Sequence, residues 1–187
     1  MERSSVWAWS RAQVVAESAL VWRLAAAPDG ALHLAYGRPT HTEAYPAGIY
    51  HRRSLDDGAS WGPRTVIHDD IYYRQVASQE AHLTLAADDQ GRLFITWDDP
   101  RRVSSYLAWS GDGGTRWAPP EPVGPFVPRP ASAEGAPAAD RGVQRARVVP
   151  TGDAPLLLWE DRTATSSCVL YQQRLVAASP ALTATWS

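Results

Sequence analysis

The sequence has a single cysteine, Cys168, and it has neither lysine nor asparagine. One cysteine excludes an internal disulfide and any zinc site built from several cysteines. The lack of asparagine excludes sequons for N-linked glycosylation. All 18 basic residues are arginines scattered along the chain, and the formal net charge is −2. Because nucleic-acid binding depends on concentrated positive charge, we predict no nucleic-acid partner.

Long apolar runs are also missing. No stretch approaches the roughly 18 apolar residues that a membrane-spanning helix requires, so we predict no membrane span. Met1 is followed by Glu2 and Arg3 rather than by the apolar core of a secretory signal. The five histidines lack metal-ligand spacing, and Gly111, Gly113 and Gly114 lie in a predicted hairpin turn rather than in a phosphate loop between a strand and a helix. The pairs Asp69-Asp70 and Asp98-Asp99 could bind Ca²⁺, but solvated loop carboxylates are the ordinary role, so we predict no metal and no cofactor. A length of 187 residues is enough to bury the core of one globular domain.

An internal repeat is the strongest positive signal. The pattern Ser-x-Asp-x-Gly-x-x-Trp occurs at residues 54–61 and again at residues 110–117, each time four residues after a tyrosine. The repeated residues are Ser54, Asp56, Gly58 and Trp61, and then Ser110, Asp112, Gly114 and Trp117. A remnant of a third copy keeps Ser179 and Trp186. The separation of the copies is near the period of a propeller blade.

The spacing inside the repeat predicts a β-hairpin turn. Glycine supplies the positive φ that such a turn needs. The aspartate and serine side chains are placed to accept hydrogen bonds from the N–H groups of the turn. The tryptophan at the start of the next strand buries a large apolar surface while its indole N–H finds a partner. We therefore predict that these eight residues have a structural role.

Short runs of β-forming residues surround each turn and predict an all-β chain. First strands are predicted at residues 20–26, 81–86 and 145–149, second strands at 31–36, 92–97 and 155–159, and third strands at 49–53, 105–109 and 169–174. With a fourth strand after each turn, the chain divides into three four-stranded units at about 10–61, 62–117 and 118–187. The stretch 124–141, rich in proline and alanine, is predicted to be a connecting loop.

These repeats resemble the Asp-box (BNR) repeats of the sialidase or neuraminidase superfamily, whose members are β-propellers, six-bladed in the sialidases. The resemblance implies that this chain covers about three blades of a sialidase-type propeller, with the boxes at the blade periphery. It implies glycans, sialylated or other, as partners. Because proteins of this family are commonly exported, it also implies an extracytoplasmic bacterial protein.

The resemblance to sialidases implies a particular active site. Three arginines bind the carboxylate of the substrate, a glutamate activates a tyrosine nucleophile, and an aspartate is the acid/base. In this family the ligand lies on the face opposite the boxes, which carries the loops between second and third strands and the connections between blades. Catalytic candidates there are Tyr72, Tyr73, Arg74, Asp70 and Glu80, and substrate-binding candidates are Arg38, Arg101, Arg162 and Arg145. Pairing between neighbouring loops is an alternative role for the repeated acids and arginines, among them Asp99 with Arg101.

Three hypotheses follow from the sequence. The first is a segment of a sialidase-like propeller that binds glycans or hydrolyses glycosides, as an exo-α-sialidase does. The alternative is a non-catalytic Asp-box propeller that serves as a protein-interaction module or scaffold. The third is that three blades pair with further blades or with a second copy of the chain, because an open propeller exposes strands that invite pairing.

Overall fold

The structure is a computed structural model that describes residues 10–99, 104–124, 143–152, 154–162 and 168–174. In this part of the chain, eleven strands form three antiparallel sheets, which confirms the all-β prediction. One short 3-10 helix, Ile71–Gln75, follows the first sheet. No helix among the described residues is long and apolar enough to cross a membrane.

Each sheet is a meander in which strands that follow one another in sequence are hydrogen-bonded neighbours. The first sheet contains β1 (Val21–Ala26), β2 (Leu32–Arg38), β3 (Gly48–Ser54) and β4 (Thr65–Asp69). The second contains β5 (Leu83–Ala87), β6 (Leu93–Asp99), β7 (Ser104–Ser110) and β8 (Glu121–Pro122). The third contains β9 (Val143–Val149), β10 (Leu156–Arg162) and β11 (Cys168–Arg174). The first, second and third strands of every repeat therefore lie where the sequence predicts them.

The core consists of two apolar layers, one on each side of the second sheet. Between the first and second sheets, buried side chains pack around Trp97, among them Ile49, Leu83, Ile95 and Tyr106. Between the second and third sheets, Phe94, Leu107, Val148, Leu157 and Trp159 form the other layer. Each fully buried large apolar side chain contributes about 1.5–3 kcal/mol, so these layers hold the sheets face to face.

The two repeated turns have the predicted geometry. In the first turn, Ser54 Oγ accepts from Gly58 N at 2.9 Å. Asp56 Oδ1 accepts from Ser60 N at 2.8 Å. The second turn, at residues 110–117, repeats both bonds at the same distances. Gly58 and Gly114 both have φ of +84°, so the prediction of a positive φ at these glycines is confirmed.

The tryptophans of the two turns pack in different surroundings. Trp117 Nε1 donates to Gly114 O at 3.2 Å, as predicted. The ring of Trp117 also meets the His51 ring of the first sheet edge-on, with 5.1 Å between centroids. Trp61 packs against the face of the first sheet that points away from the second. The second turn thus adds to the contact between sheets, which the sequence did not predict.

Some predictions fall on other parts of the chain. The third repeat remnant, Ser179 and Trp186, lies outside the described residues. Residues 125–141 of the predicted connecting loop also lie outside them. The described strands of the third sheet number three, and the boundaries of the three sequence units stay predictions.

Candidate functional site

The first strands of the three sheets contact one another in series. β1 contacts β5, and β5 contacts β9. We call β1, β5 and β9 the inner strands. A cavity of about 450 Å³ lies against them. Its lining includes Arg23, Gln79, Glu80, His82, Thr84, Arg145 and Arg147. We call it the inner-strand cavity, and among the described residues it brings together polar side chains from all three sheets.

Three arginines give this cavity its charge. Arg23 comes from β1, whereas Arg145 and Arg147 come from β9. Among the residues that the structure describes, no salt bridge joins these guanidinium groups to a carboxylate. Glu80 is the acidic residue of the lining. Because planar guanidinium groups bind carboxylates through two parallel hydrogen bonds, the cavity is suited to an anionic ligand.

Asp98, at the end of β6, fixes the start of β9 beside this cavity. Its carboxylate accepts from the backbone N–H of Arg145 at 3.0 and 3.2 Å. It also accepts from Ser105 Oγ at 2.5 Å. Burial raises the pKa of Asp98, and these hydrogen bonds oppose that rise. Arg145 has a positive φ of 53°, so the Asp98 carboxylate stabilises an uncommon backbone conformation at a cavity residue.

His82 continues this contact between the second and third sheets. Its Nε2 lies 3.0 Å from the backbone O of Ala146, the residue after Arg145. The backbone N–H of Asp98 donates to His82 O at 3.4 Å. Ala146 N donates to Ser105 Oγ at 3.2 Å. His82 and Asp98 are therefore positioning residues that the sequence did not single out for this role.

The five catalytic candidates lie in different surroundings. Glu80 lines the inner-strand cavity. Asp70 caps the 3-10 helix, because its Oδ1 accepts from Tyr72 N at 2.9 Å. Tyr72 is 38% exposed, and Arg74 is in the last turn of the same helix. None of Asp70, Tyr72 and Arg74 is among the described residues that line the cavity.

Tyr73 is the buried member of this set. Its hydroxyl donates to the backbone O of Asp98 at 3.2 Å. Burial, with the nearby Asp99 and Asp98 carboxylates, raises the pKa of Tyr73 well above its usual value. A phenol in these surroundings stays protonated, so the structure gives Tyr73 a structural contact at the end of the second sheet.

The four substrate-binding candidates also lie in different parts of the chain's structure. Arg145 lines the inner-strand cavity. Arg38 is buried, and its guanidinium donates to the backbone carbonyls of Thr40 and Tyr45 and stacks over the Tyr45 ring. Arg162 is the last residue of β10, and Arg101 lies outside the described residues. Arg38 is thus bonded within its own loop, whereas Arg145 lies where a ligand has room.

A group of possible metal ligands lies between the first two sheets. Ligand atoms of His68, Asp70 and Asp99 all lie within 4.8 Å of one another. The His68 ring is stacked against Trp97, with 5.6 Å between centroids. Nitrogen and carboxylate oxygen are ligands that divalent cations accept. These three residues are the ones that could hold a cation among those described.

No protein-family model and no curated protein matches this chain. Solved structures do match. An α-L-arabinofuranosidase of Fusarium graminearum, in complex with an iminosugar inhibitor, has a TM-score of 0.54 and 18% identity over 84% of this chain. An α-L-arabinanase of Penicillium chrysogenum, in complex with arabinobiose, has a TM-score of 0.54 and 16% identity over 86% of it. The chain has a propeller-like β fold.

The matched part of each propeller is under half of its length. The aligned region covers 45% of the Fusarium chain and 46% of the Penicillium chain. The propeller prediction is supported at the level of the fold. The sialidase type and the six-bladed ring are not shown by these matches, and they stay predictions.

Proposed function

We propose that this chain binds an anionic glycan at the inner-strand cavity, as a segment of a sialidase-like glycoside hydrolase. The observation that carries the proposal is the set of three arginines, Arg23, Arg145 and Arg147, around one cavity of about 450 Å³. Guanidinium groups bind carboxylates and phosphates through two parallel hydrogen bonds, and a sugar carboxylate is the group of this kind that the resemblance to sialidases implies.

The other lining residues suit the rest of a sugar. Gln79, Thr84 and His82 offer polar groups that can hydrogen-bond to sugar hydroxyls. Leu85 and Val148 offer a small apolar surface. A few polar groups on a partly apolar wall are typical of small-molecule sites. The solved propellers named above carry an iminosugar and arabinobiose, which supports a carbohydrate by analogy of fold.

Hydrolysis needs a carboxylic acid at the glycosidic bond, and Glu80 is the candidate in the cavity. The tyrosine nucleophile that the sialidase resemblance implies is not among the described residues of the lining. We therefore assign sugar binding to this segment, and we expect a complete catalytic set to need groups from beyond the described residues.

A calorimetric titration tests the binding proposal. The chain is titrated with sialyllactose and with arabinobiose. We expect sialyllactose to bind more tightly, and Arg147→Ala to weaken it at least tenfold. Arg116→Ala is the matched control, because Arg116 is an exposed arginine in the second repeated turn, and we expect it to leave binding unchanged. An equal loss of sialyllactose affinity in both variants contradicts the anionic-glycan proposal. Tighter binding of arabinobiose than of sialyllactose by the unmodified chain also contradicts it.

Turnover of fluorogenic glycosides tests hydrolysis separately. An aryl α-sialoside and an aryl α-L-arabinofuranoside are offered in parallel to the chain and to Glu80→Gln. If the chain releases the fluorescent aryl group from the sialoside and Glu80→Gln does not, the sialidase-like assignment is supported. Binding without release from either substrate leaves a glycan-binding module and contradicts hydrolysis by this chain alone.

The second candidate function is a non-catalytic interaction module. The observation that favours it is the apolar surface of the first sheet, where Trp22 is 60% exposed and Leu24 is 52% exposed. Large exposed apolar side chains close together mark protein contacts. Titrations that show no affinity for any sugar, together with a stable protein complex, favour this candidate.

A further inference from the structure

One arginine of the inner-strand cavity has a backbone conformation that is rare within a strand. Arg145 belongs to β9, yet its φ is +53°. The other non-glycine residues with positive φ among those described are Ser18 and Asp57, and neither lies in a strand. The left-handed region is sterically unfavourable for an arginine, so this conformation persists only where the surrounding contacts enforce it. Residues held in this way cluster at ligand sites.

The local cause is a β-bulge in the third sheet. The pairs on either side of it are Leu158 with Arg147 and Glu160 with Gln144. Between these pairs β9 has two residues, Arg145 and Ala146, where β10 has one. In the type of bulge whose first residue is left-handed, that residue is usually glycine. Here it is an arginine that lines the cavity.

The bulge changes which side chains of β9 face the second sheet. Ala146 and Val148 are buried in the apolar layer between the second and third sheets, and Val143 packs against the same layer. In an unbroken strand the side chains alternate, so Val143 would share a face with Arg145 and Arg147. The extra residue lets Val143 pack on the core while both arginines line the cavity.

Buried polar groups of the second sheet hold the bulge in place. The Asp98 carboxylate accepts from Arg145 N, and the Ser105 hydroxyl accepts from Ala146 N at 3.2 Å. Thr96 Oγ1 donates to Ala146 O. Ser105 and Thr96 are both 0% exposed, so water does not compete for these bonds. Three side chains from two neighbouring strands therefore fix the backbone on both sides of the bulge.

The direction of each hydrogen bond in this network is determined, because a backbone N–H only donates and a carbonyl only accepts. Ser105 Oγ receives the proton of Ala146 N, so its own proton goes to Asp98 Oδ1, at 2.5 Å. Thr96 Oγ1 gives its proton to Ala146 O, so it accepts from Thr84 Oγ1, also at 2.5 Å. Thr84 lines the cavity. Paired buried groups of this kind favour a single conformation.

We propose that this network is a positioning device for ligand binding, in which Ser105 and Thr96 hold Arg145 in its strained conformation beside an anionic ligand. The inference rests on the proposed binding of an anionic glycan in the inner-strand cavity. Neither Ser105 nor Thr96 is among the described residues that line the cavity, so each acts through Arg145 rather than by touching the ligand. Because the bulge is set before the ligand arrives, binding loses less conformational freedom.

Urea unfolding tests the strained backbone without any ligand. Arg145→Gly is expected to unfold at a higher urea concentration than Arg145→Ala, because glycine adopts a positive φ without steric cost. Arg147 is the matched control, since it is an exposed arginine of the same strand and has no positive φ. There the glycine variant is expected to be less stable than the alanine variant. A midpoint of Arg145→Gly at or below that of Arg145→Ala overturns the proposal.

Calorimetric titration with sialyllactose tests the positioning role. Ser105→Ala is expected to weaken binding about fivefold in the unmodified chain and in Arg23→Ala, and to have no effect in Arg145→Ala. Weakening by the same factor in all three backgrounds shows a merely structural role and overturns the proposal. Ser104→Ala is the matched control, because the Ser104 hydroxyl donates to Ser105 O at 3.4 Å rather than to the bulge. We expect it to leave the affinity unchanged.

Two substitutions of Thr96 separate its hydroxyl group from its packing. Thr96→Val removes the donor to Ala146 O and is expected to weaken sialyllactose binding, whereas Thr96→Ser keeps the hydroxyl and is expected to retain the affinity. Both variants are expected to have unchanged circular dichroism, and an equal loss of affinity in both overturns the positioning role. If the unmodified chain does not bind sialyllactose, the proposed function fails and the positioning role fails with it. Binding without coupling to Arg145 overturns the positioning role alone.

Discussion

Replacement of Gly114 by alanine tests whether the second repeated turn fixes the contact between the first two sheets. Gly114 has φ of +84°, and a Cβ at this position lies 2.4 Å from Cε1 of His51. His51 is 2% exposed, and its Nε2 lies 3.0 Å from Nδ1 of His33. Its ring is also packed edge-on to Trp117. The imidazole therefore has no room to move away from the new methyl group.

Gly58 provides a matched control at the equivalent position of the first turn. It has the same φ of +84°, and the atom nearest to a Cβ there is Leu32 Cδ1 at an ordinary 3.6 Å. Gly58→Ala is thus expected to cost only the left-handed backbone strain, about 1–2 kcal/mol. Gly114→Ala has the same strain and, in addition, the overpacking against His51, which costs about 1–3 kcal/mol. The expected difference in unfolding free energy is about 2 kcal/mol.

Urea denaturation followed by tryptophan fluorescence measures this difference. Gly91→Ala is a further control, because Gly91 has φ of +74° and no atom within 4 Å of a Cβ. The double variant Gly114→Ala, His51→Ala is expected to lose less stability than the two single losses combined, since the smaller side chain removes the clash. Equal midpoints for Gly114→Ala and Gly58→Ala would refute the proposed contact.

Three further predictions concern buried polar groups. Burial lowers the pKa of His33 to about 4 and that of His51 to about 3, against about 6.5 when unfolded, so protons favour the unfolded chain. As the pH is lowered from about 7 to about 5, the urea concentration at the unfolding midpoint is expected to decrease, and a constant midpoint contradicts this. Asp98→Ala leaves Arg145 N and the Ser105 hydroxyl without their acceptor and is expected to cost about 1–3 kcal/mol in unfolding free energy, with Asp98→Asn milder. Ser110→Ala removes the acceptor of Gly114 N and is expected to cost about 1–3 kcal/mol in thermal or urea unfolding; an unchanged midpoint contradicts it.

The local structure of this chain could be predicted from its sequence because its causes are local. Ser54, Asp56 and Gly58 lie within five residues of one another, so the hydrogen bonds of the turn follow from their spacing. The runs of β-forming residues placed the first three strands of each repeat within a few residues of their observed ends. The recurrence of both features indicated a propeller, which the solved structures support.

The candidate site followed less well from the sequence. Their predicted positions in loops and blade connections made both Arg38 and Arg145 candidates for substrate binding. In the structure, Arg38 is bonded to carbonyls of its own loop, whereas Arg145 lines the cavity. Glu80 also reaches the cavity, whereas the Tyr73 hydroxyl is bonded to a backbone carbonyl. Loop position alone does not distinguish these cases, because each depends on what packs against the side chain.

The sequence by itself determined the strands, the turns and the repeated unit, since each rests on residues close together in the chain. Only the tertiary structure decided that Arg23 of the first sheet and Arg147 of the third line the same cavity. It also decided that Trp22 in β1 is exposed, whereas Leu83, at the corresponding position of β5 in the second sheet, is buried. The physical reason is that burial depends on which sheet packs on which, and that packing joins residues far apart in sequence.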